Sequence, residues 1–208
     1  MKKLSLILIC FSFLATGCNS GYRVYVNGYS EPNEPIKQNS TFYVSTNDPN
    51  SHNPIFDRQI KAKIEALLDH DNYIPVKDIN DSVYMISFRI GTDSHRYLDY
   101  EPTPQMYFGA HSGYWSGYSF GYTTYIPYYD TYYDRWLSMK VLKRDNHNTE
   151  KAVWVGEALI STGGDDIRKV IDYLLVGCFH YFGVDTSRQR RIVITNEDPS
   201  ILEIETIR

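Results

Sequence analysis

Polar and apolar residues alternate over residues 22–29, with Tyr22, Val24 and Val26 on one side, and this period of two predicts a first strand. Residues 30–40 hold prolines, glutamates, Asn39 and Ser40 and read as a loop; Thr41–Ser45 (Thr-Phe-Tyr-Val-Ser) reads as a second strand. From Asn53-Pro54 the period changes. Phe56, Ile60, Ile64 and Leu67 fall at helical spacing, Leu68 widens the stripe, and Asn53 and Pro54 suit the cap and first position of a helix. The polar run Asp69–Asn72 ends that helix, and a short extended piece, Tyr73–Val76, follows. Alternation returns at Val83–Ile90 and again at Arg135–Lys143, where Leu137, Met139 and Val141 share one side. A turn at Asp145–Asn148 leads to the returning strand Ala152–Ser161, completing a hairpin. A second helix follows Thr162-Gly163-Gly164-Asp165, with an apolar stripe from Ile167 through Leu174, Cys178 and Phe182, and Gly183 stops it. Two apolar pieces in the tail, Ile192–Ile194 and Ile201–Ile207, fit either a terminal hairpin or an added edge strand, and the pattern leaves both open.

Two one-sided helices and about five strands predict an α+β two-layer sandwich: a largely antiparallel sheet with both helices on one face. One domain spans 22–183, with a tail over 184–208.

The start of the chain has a different grammar. Met1-Lys2-Lys3 precedes an uncharged run, Leu4–Leu14, and the segment ends Ala15-Thr16-Gly17-Cys18. A basic start and a short apolar run are the parts of a secretory signal, and the run falls short of the roughly 20 apolar residues a bilayer span needs. The ending resembles a bacterial lipobox, in which the cysteine is acylated and becomes the mature N-terminus. Residues 1–17 are therefore expected to be an export signal, and residues 18–40 a lipidated N-terminus carrying the first strand and its loop. Removing 17 of 208 residues leaves 191, and losing Lys2 and Lys3 takes the formal charge from −4 to −6. That acidity argues against nucleic acid and against electrostatic docking on anionic lipid. The expected membrane link is the lipid on Cys18. Asn19 rather than aspartate after the cysteine favours the outer membrane, facing the periplasm. Cys10 leaves with the signal and Cys18 carries lipid, so only Cys178 remains and no intramolecular disulfide is expected.

The layout resembles the family of small bacterial lipoproteins known as domain of unknown function four-one-three-six. The resemblance rests on the lipobox, the Tyr22-x-Val24-x-Val26 strand, the Tyr73 and Val76 pair after the first helix, and the strand ending Val153-Trp154-Val155-Gly156. It covers roughly Tyr22 to Gly183. The acidic pair common in the family's first strand is missing, and Asn72 stands where a glycine is usual. The family has no established activity, so the resemblance implies a fold and a location and no mechanism.

Catalytic signals are sparse. The six histidines (His52, His70, His95, His111, His147 and His180) show no helical metal spacing and no cysteine partner. Gly163-Gly164-Asp165-Asp166 matches a nucleotide-cyclase signature by letters alone and reads as a turn and cap. No phosphate-binding glycine loop and no nucleophile elbow occurs. No catalytic residue, metal or cofactor is expected. The feature beyond scaffold grammar is the tyrosine-rich stretch 97–133, an insertion interleaved with Gly, Ser and Thr. Tyrosine offers a large rigid ring with a polar tip, which suits a glycan or a protein partner. The candidate binding surface within it is Tyr114, Trp115, Tyr118, Tyr122, Tyr125, Tyr128, Tyr129, Tyr132 and Tyr133. The competing expectation is that residues 114–133 cover the sheet face left free by the helices, while Thr92–Gln105 is mobile. The function expected is a non-catalytic interaction or structural module, with envelope protein or peptidoglycan as candidate partners. The alternative is a cell-wall-acting enzyme whose site the sequence does not reveal.

Overall fold

The structure, a computed structural model, describes residues 21–46, 53–104, 123–144 and 150–207. Among these residues it is an α+β fold with one seven-stranded mixed sheet and three α-helices. The strands are β1 (Gly21–Ser30), β2 (Thr41–Ser45), β3 (Ile74–Val76), β4 (Tyr84–Pro104), β5 (Thr123–Arg144), β6 (Glu150–Thr162) and β7 (Arg190–Thr195). The helices are α1 (Pro54–His70), α2 (Ile171–His180) and α3 (Pro199–Glu205). The sheet order is β3-β2-β4-β5-β6-β1-β7.

Three expectations are corrected. The sheet has seven strands among the described residues rather than about five, because Tyr73–Val76 and the tail both join it. It is largely antiparallel, as expected, but mixed at one edge, where β2 runs parallel to both β3 and β4. The cause is α1, which carries the chain from β2 back to the start of the sheet, so that β3 enters in the same direction. The tail supplies both an edge strand and a helix. Residues 190–195 pair antiparallel with β1, whereas Ile201–Ile207 is not a strand. Asp198 caps α3 by accepting from Ser200 N at 3.0 Å, Pro199 begins it, and Ile201 and Ile204 are buried.

The first helix forms as its sequence dictates. Asn53 Oδ1 accepts from Phe56 N at 3.1 Å, Pro54 opens the first turn, and Ile60, Ile64, Leu67 and Leu68 are buried. Asn72, just past its end, sits at φ 62°, the left-handed conformation that asparagine tolerates. The second helix is shorter than its stripe. Asp166 caps a 3-10 turn at Ile167–Lys169, the chain breaks at Val170, and α2 then runs to His180. Gly183 follows at φ +73°.

The helices α1 and α2 pack on one face of the sheet, and α3 packs against both of them. Val24, Phe42, Ile86, Met139, Ala158 and Ile194, one from each long strand, are buried beneath them. Gly177 sets how closely α2 lies on β1, since a Cβ there would meet Val24 Cγ1 at 2.8 Å. Trp154 anchors one end of this core. Its ring lies 4.9 Å from Phe182, and its Nε1 donates to Val184 O at 3.2 Å. Thr186 then pins the chain leaving α2 to β1, with Gly28 N donating to Thr186 Oγ1 at 3.0 Å.

The tyrosine-rich stretch departs most from expectation. Thr92–Pro104 is strand, paired rung by rung with Thr123–Arg135, and not the mobile segment expected up to Gln105. The β5–β6 ladder stops at Tyr133 opposite Thr162, so from His95 opposite Tyr132 onward β4 and β5 continue as a two-stranded ribbon. Ten rungs at about 3.3 Å make this ribbon roughly 30 Å long.

Candidate functional site

The helices leave the second sheet face open, and among the described residues nothing covers it. Alternation decides what it presents. With Leu137 and Met139 turned inward, Trp136 and Ser138 turn outward; with Val24 and Val26 inward, Tyr25 and Asn27 do the same. Register aligns the ring-bearing positions. Tyr25 is opposite Leu159, Leu159 opposite Trp136, and Trp136 opposite Gly91, one row across four strands. The Trp136 indole lies against Gly91, where a Cβ would come within 2.4 Å of Cζ2, and its Nε1 donates to Asp93 Oδ2 at 3.0 Å. Tyr25, Asn27, Trp136, Ser138, Glu157 and Leu159 line a half-open depression of about 320 Å³. Asn27 Nδ2 points to Glu157 Oε2 at 3.5 Å. An aromatic wall with a polar rim of amide, hydroxyl and carboxylate has the chemistry to suit a ligand that combines a flat apolar patch with hydroxyls or amides.

Near the root of the ribbon, Asp134 accepts from Ser161 Oγ and lies 3.1 Å from His95 Nε2. The three residue types are those of a nucleophile triad, but the order is wrong for one. A triad places the imidazole between hydroxyl and carboxylate, so that it takes the hydroxyl proton; here the carboxylate stands in the middle. Among the described residues no cluster of three or more His, Cys, Asp or Glu side chains is placed to hold a metal. Cys178 is fully buried and burial pushes its thiol up, which makes it unreactive.

The helix side carries a groove of about 650 Å³ between α1, α2 and α3. Four of the charges that line it form two pairs. Lys63 Nζ binds Asp172 Oδ1 at 2.6 Å, and Arg168 binds Asp166 at 2.9 Å, holding the Asp166 carboxyl down at about 2. Arg135 is 2% exposed on the core side of β5. It donates to Thr162 Oγ1 and, at 3.5 Å, to Asp166 O, so it ties the turn before α2 to the sheet.

Of the residues predicted from sequence, Cys18, Tyr114, Trp115, Tyr118 and Tyr122 lie outside the described residues. Tyr125 and Tyr128 take register positions in the ribbon, opposite Pro102 and Asp99. Tyr129 is 74% and Tyr132 40% exposed, and Tyr133 is half-buried. The described part of the stretch therefore extends past the end of the sheet and does not lie across its open face. Tyr132 meets Tyr97 edge to face, ring centroids 5.9 Å apart. The row of Tyr25, Leu159 and Trp136 was not singled out from sequence, although the alternation that assigned Leu137 inward also assigns Trp136 outward.

No family model matches the chain, and no curated protein does. Among solved structures, a PDZ domain protein from Parabacteroides distasonis is similar at 15% identity and a TM-score of 0.50, over 89% of this chain. This chain spans 42% of the length of that one. Two PelC dodecamer structures from Paraburkholderia phytofirmans are similar at 9% identity, over 77% of this chain and 98% and 99% of theirs, with TM-scores of 0.42 and 0.40. What the first of these likenesses supports is the α+β architecture, and the fold alone.

Proposed function

We propose that the chain is a lipid-anchored protein of the bacterial envelope that binds a partner without catalysing a reaction. The anchor reading rests on sequence: the lipobox placed directly after a short apolar run, ending at Cys18. It agrees with the resemblance to the lipoprotein family, and the lipid on Cys18 then holds the chain at the outer membrane, facing the periplasm. The binding reading is carried by one observation, the helix-free sheet face with Tyr25, Leu159 and Trp136 in one row.

Two measurements test this. Cys18→Ser is expected to give a chain that is unprocessed or released, read by fractionation and by the mass of the mature N-terminus. Full maturation and full membrane retention of that variant would end the anchor reading. For the open face, the chain from Asn19 onward is assayed on isolated peptidoglycan and on solubilised envelope proteins. Saturable retention without turnover supports a binding module, and turnover of the wall would make the protein an enzyme. Trp136→Ala is expected to cut that retention at least about tenfold, the scale of a hot-spot ring. Its melting temperature should change little, because the ring packs on the surface of the sheet.

A further inference from the structure

The lipid and the aromatic ribbon leave the same end of the sheet. Tyr25, Leu159, Trp136 and Gly91 share one row, so counting four residues back from Tyr25 brings Gly21 level with Tyr132 and His95. That is the row at which β4 and β5 pass beyond the sheet. On the anchor reading proposed above, only Asn19 and Ser20 separate Cys18 from the first residue of β1. Three peptide steps at about 3.5 Å reach roughly 10 Å. The ribbon, roughly 30 Å long, thus leaves on the anchor's side and outreaches the tether, so it meets the surface aslant, with one side down.

The register also gives the ribbon two unlike faces, since alternate rungs of a ladder belong to alternate faces. One set contains Leu98 opposite Tyr129, Tyr100 opposite Pro127 and Pro102 opposite Tyr125, with Arg96 as its one charge. The other set also holds Tyr97, Tyr128 and Tyr132, but it contains every carboxylate of the ribbon and its root: Asp93, Asp99, Glu101, Asp130 and Asp134. Tyr129, on the carboxylate-free set, is the most exposed large side chain among the described apolar and aromatic residues.

From this we infer that the ribbon is a second membrane contact, its carboxylate-free side seated among the headgroups of the bilayer that holds the lipid. Rings with a polar tip prefer that layer, where one end is apolar and the other wet. Arg96 meets the headgroup phosphates, while the carboxylates on the opposite side stay in water. A mature chain of net charge −6, from −4 less the two lysines of the signal, gains nothing from bulk electrostatic attraction to anionic lipid. Aromatic seating next to the anchor is the contact its chemistry allows. The inference depends on the anchor reading, and it assigns the anchored domain an orientation: the β1 start faces the bilayer and the loop before β4 faces away.

The experiment uses the full-length chain, matured and acylated in a bacterial host, then reconstituted in vesicles of phosphatidylethanolamine and phosphatidylglycerol. Tyr129→Cys carries a nitroxide, and Asp81→Cys, exposed just before β4, carries the reference label. Cys178 is buried and Cys18 acylated, so the introduced thiol takes the label. The ratio of oxygen to nickel-complex accessibility is expected to be several-fold higher at residue 129 than at residue 81. Equal ratios at the two sites, in chains whose N-terminal acyl group is confirmed by mass and which float with the vesicles, would overturn the ribbon contact and leave the anchor standing. Absence of the acyl group would overturn the anchor reading, and the ribbon contact with it.

Discussion

Leu174→Asp is expected to abolish the cooperative unfolding transition, leaving a chain whose circular dichroism and fluorescence drift with urea instead of switching together. Leu174 is fully buried on α2, where Leu175 and Cys178 are equally closed to water. That helix is the hub of the helical layer, packed on β1, β5, β6 and β7 and against α1 and α3. Deleting a buried leucine side chain costs roughly 2–5 kcal/mol. An uncompensated carboxylate in its place adds several kcal/mol more, about the same order as a domain's whole margin of 5–15 kcal/mol. Gly177 removes the easy escape, because α2 has no slack to lift away from Val24 without giving up its closest contact with the sheet. Lys169→Ala, at an exposed position one turn earlier, is expected to stay within about 0.5 kcal/mol of the parent. Small and equal effects at both positions would mean that the α2 stripe does not face the core.

Where one face of an element is buried, the sequence shows it. Thr41–Ser45, the Asn53-Pro54 helix start and the Leu137, Met139, Val141 alternation all appear in the structure where the pattern puts them, because each is written by contact with one core. The ribbon escaped for the same reason. Residues 92–97 are exposed on both sides, so a strand held only by its partner strand carries no period of two in hydrophobicity. Its rungs set tyrosines opposite proline, leucine and aspartate, pairings that need the register before they can be read. The terminal helix is a different kind of miss. Asp198-Pro199 is the same start signal as Asn53-Pro54, and Ile201, Ile204 and Ile207 stand three apart, but seven residues give the helical period barely two turns in which to show.

The candidate surface divides along similar lines. Tyrosine density drew attention to residues 97–133, and register then divided the described part into two ring-bearing sides, one of which holds all the carboxylates. Trp136 and Tyr25 were within reach of alternation, yet a position known to point outward becomes a site only when neighbouring strands bring it beside others. Leu159, on a third strand, completes the row, and no spacing within one segment reveals that. Arg135 continues the inward series of Leu137, Met139 and Val141 by two residues, so its burial was written in the pattern. Its contacts with Thr162 and Asp166 were not, since those residues lie 27 and 31 positions away.

The ion pair between Lys63 and Asp172 is expected to matter more when half of it is removed than when all of it is. The two side chains retain 11% and 17% of their exposure, and they join the middle of α1 to the first turn of α2 at 2.6 Å. Burial raises the Asp172 carboxyl above its ordinary range, while the Lys63 ammonium beside it pulls the other way. Lys63→Met removes the opposing cation and leaves the desolvated carboxylate alone. We expect a loss of about 3 kcal/mol, or roughly 6–12 °C in melting temperature at neutral pH. The pH dependence has a definite sign. A carboxyl whose folded pKa is raised favours the folded state fully below the unfolded value and loses that contribution as pH rises through the folded value. Without Lys63 the folded value rises further, so the deficit of the variant should shrink as pH falls from 7 towards 4, where Asp172 takes up a proton in the folded chain. Lys63→Met combined with Asp172→Leu removes both charges and should recover most of the loss, since buried ion pairs are commonly replaced by apolar residues of similar volume at little cost. Thermal melts of the two single variants and the double variant at pH 7 and pH 4.5 read all of this. A pH-independent deficit in Lys63→Met, with no recovery in the double variant, would mean that packing of the lysine stem, and not the stranded carboxylate, sets the cost.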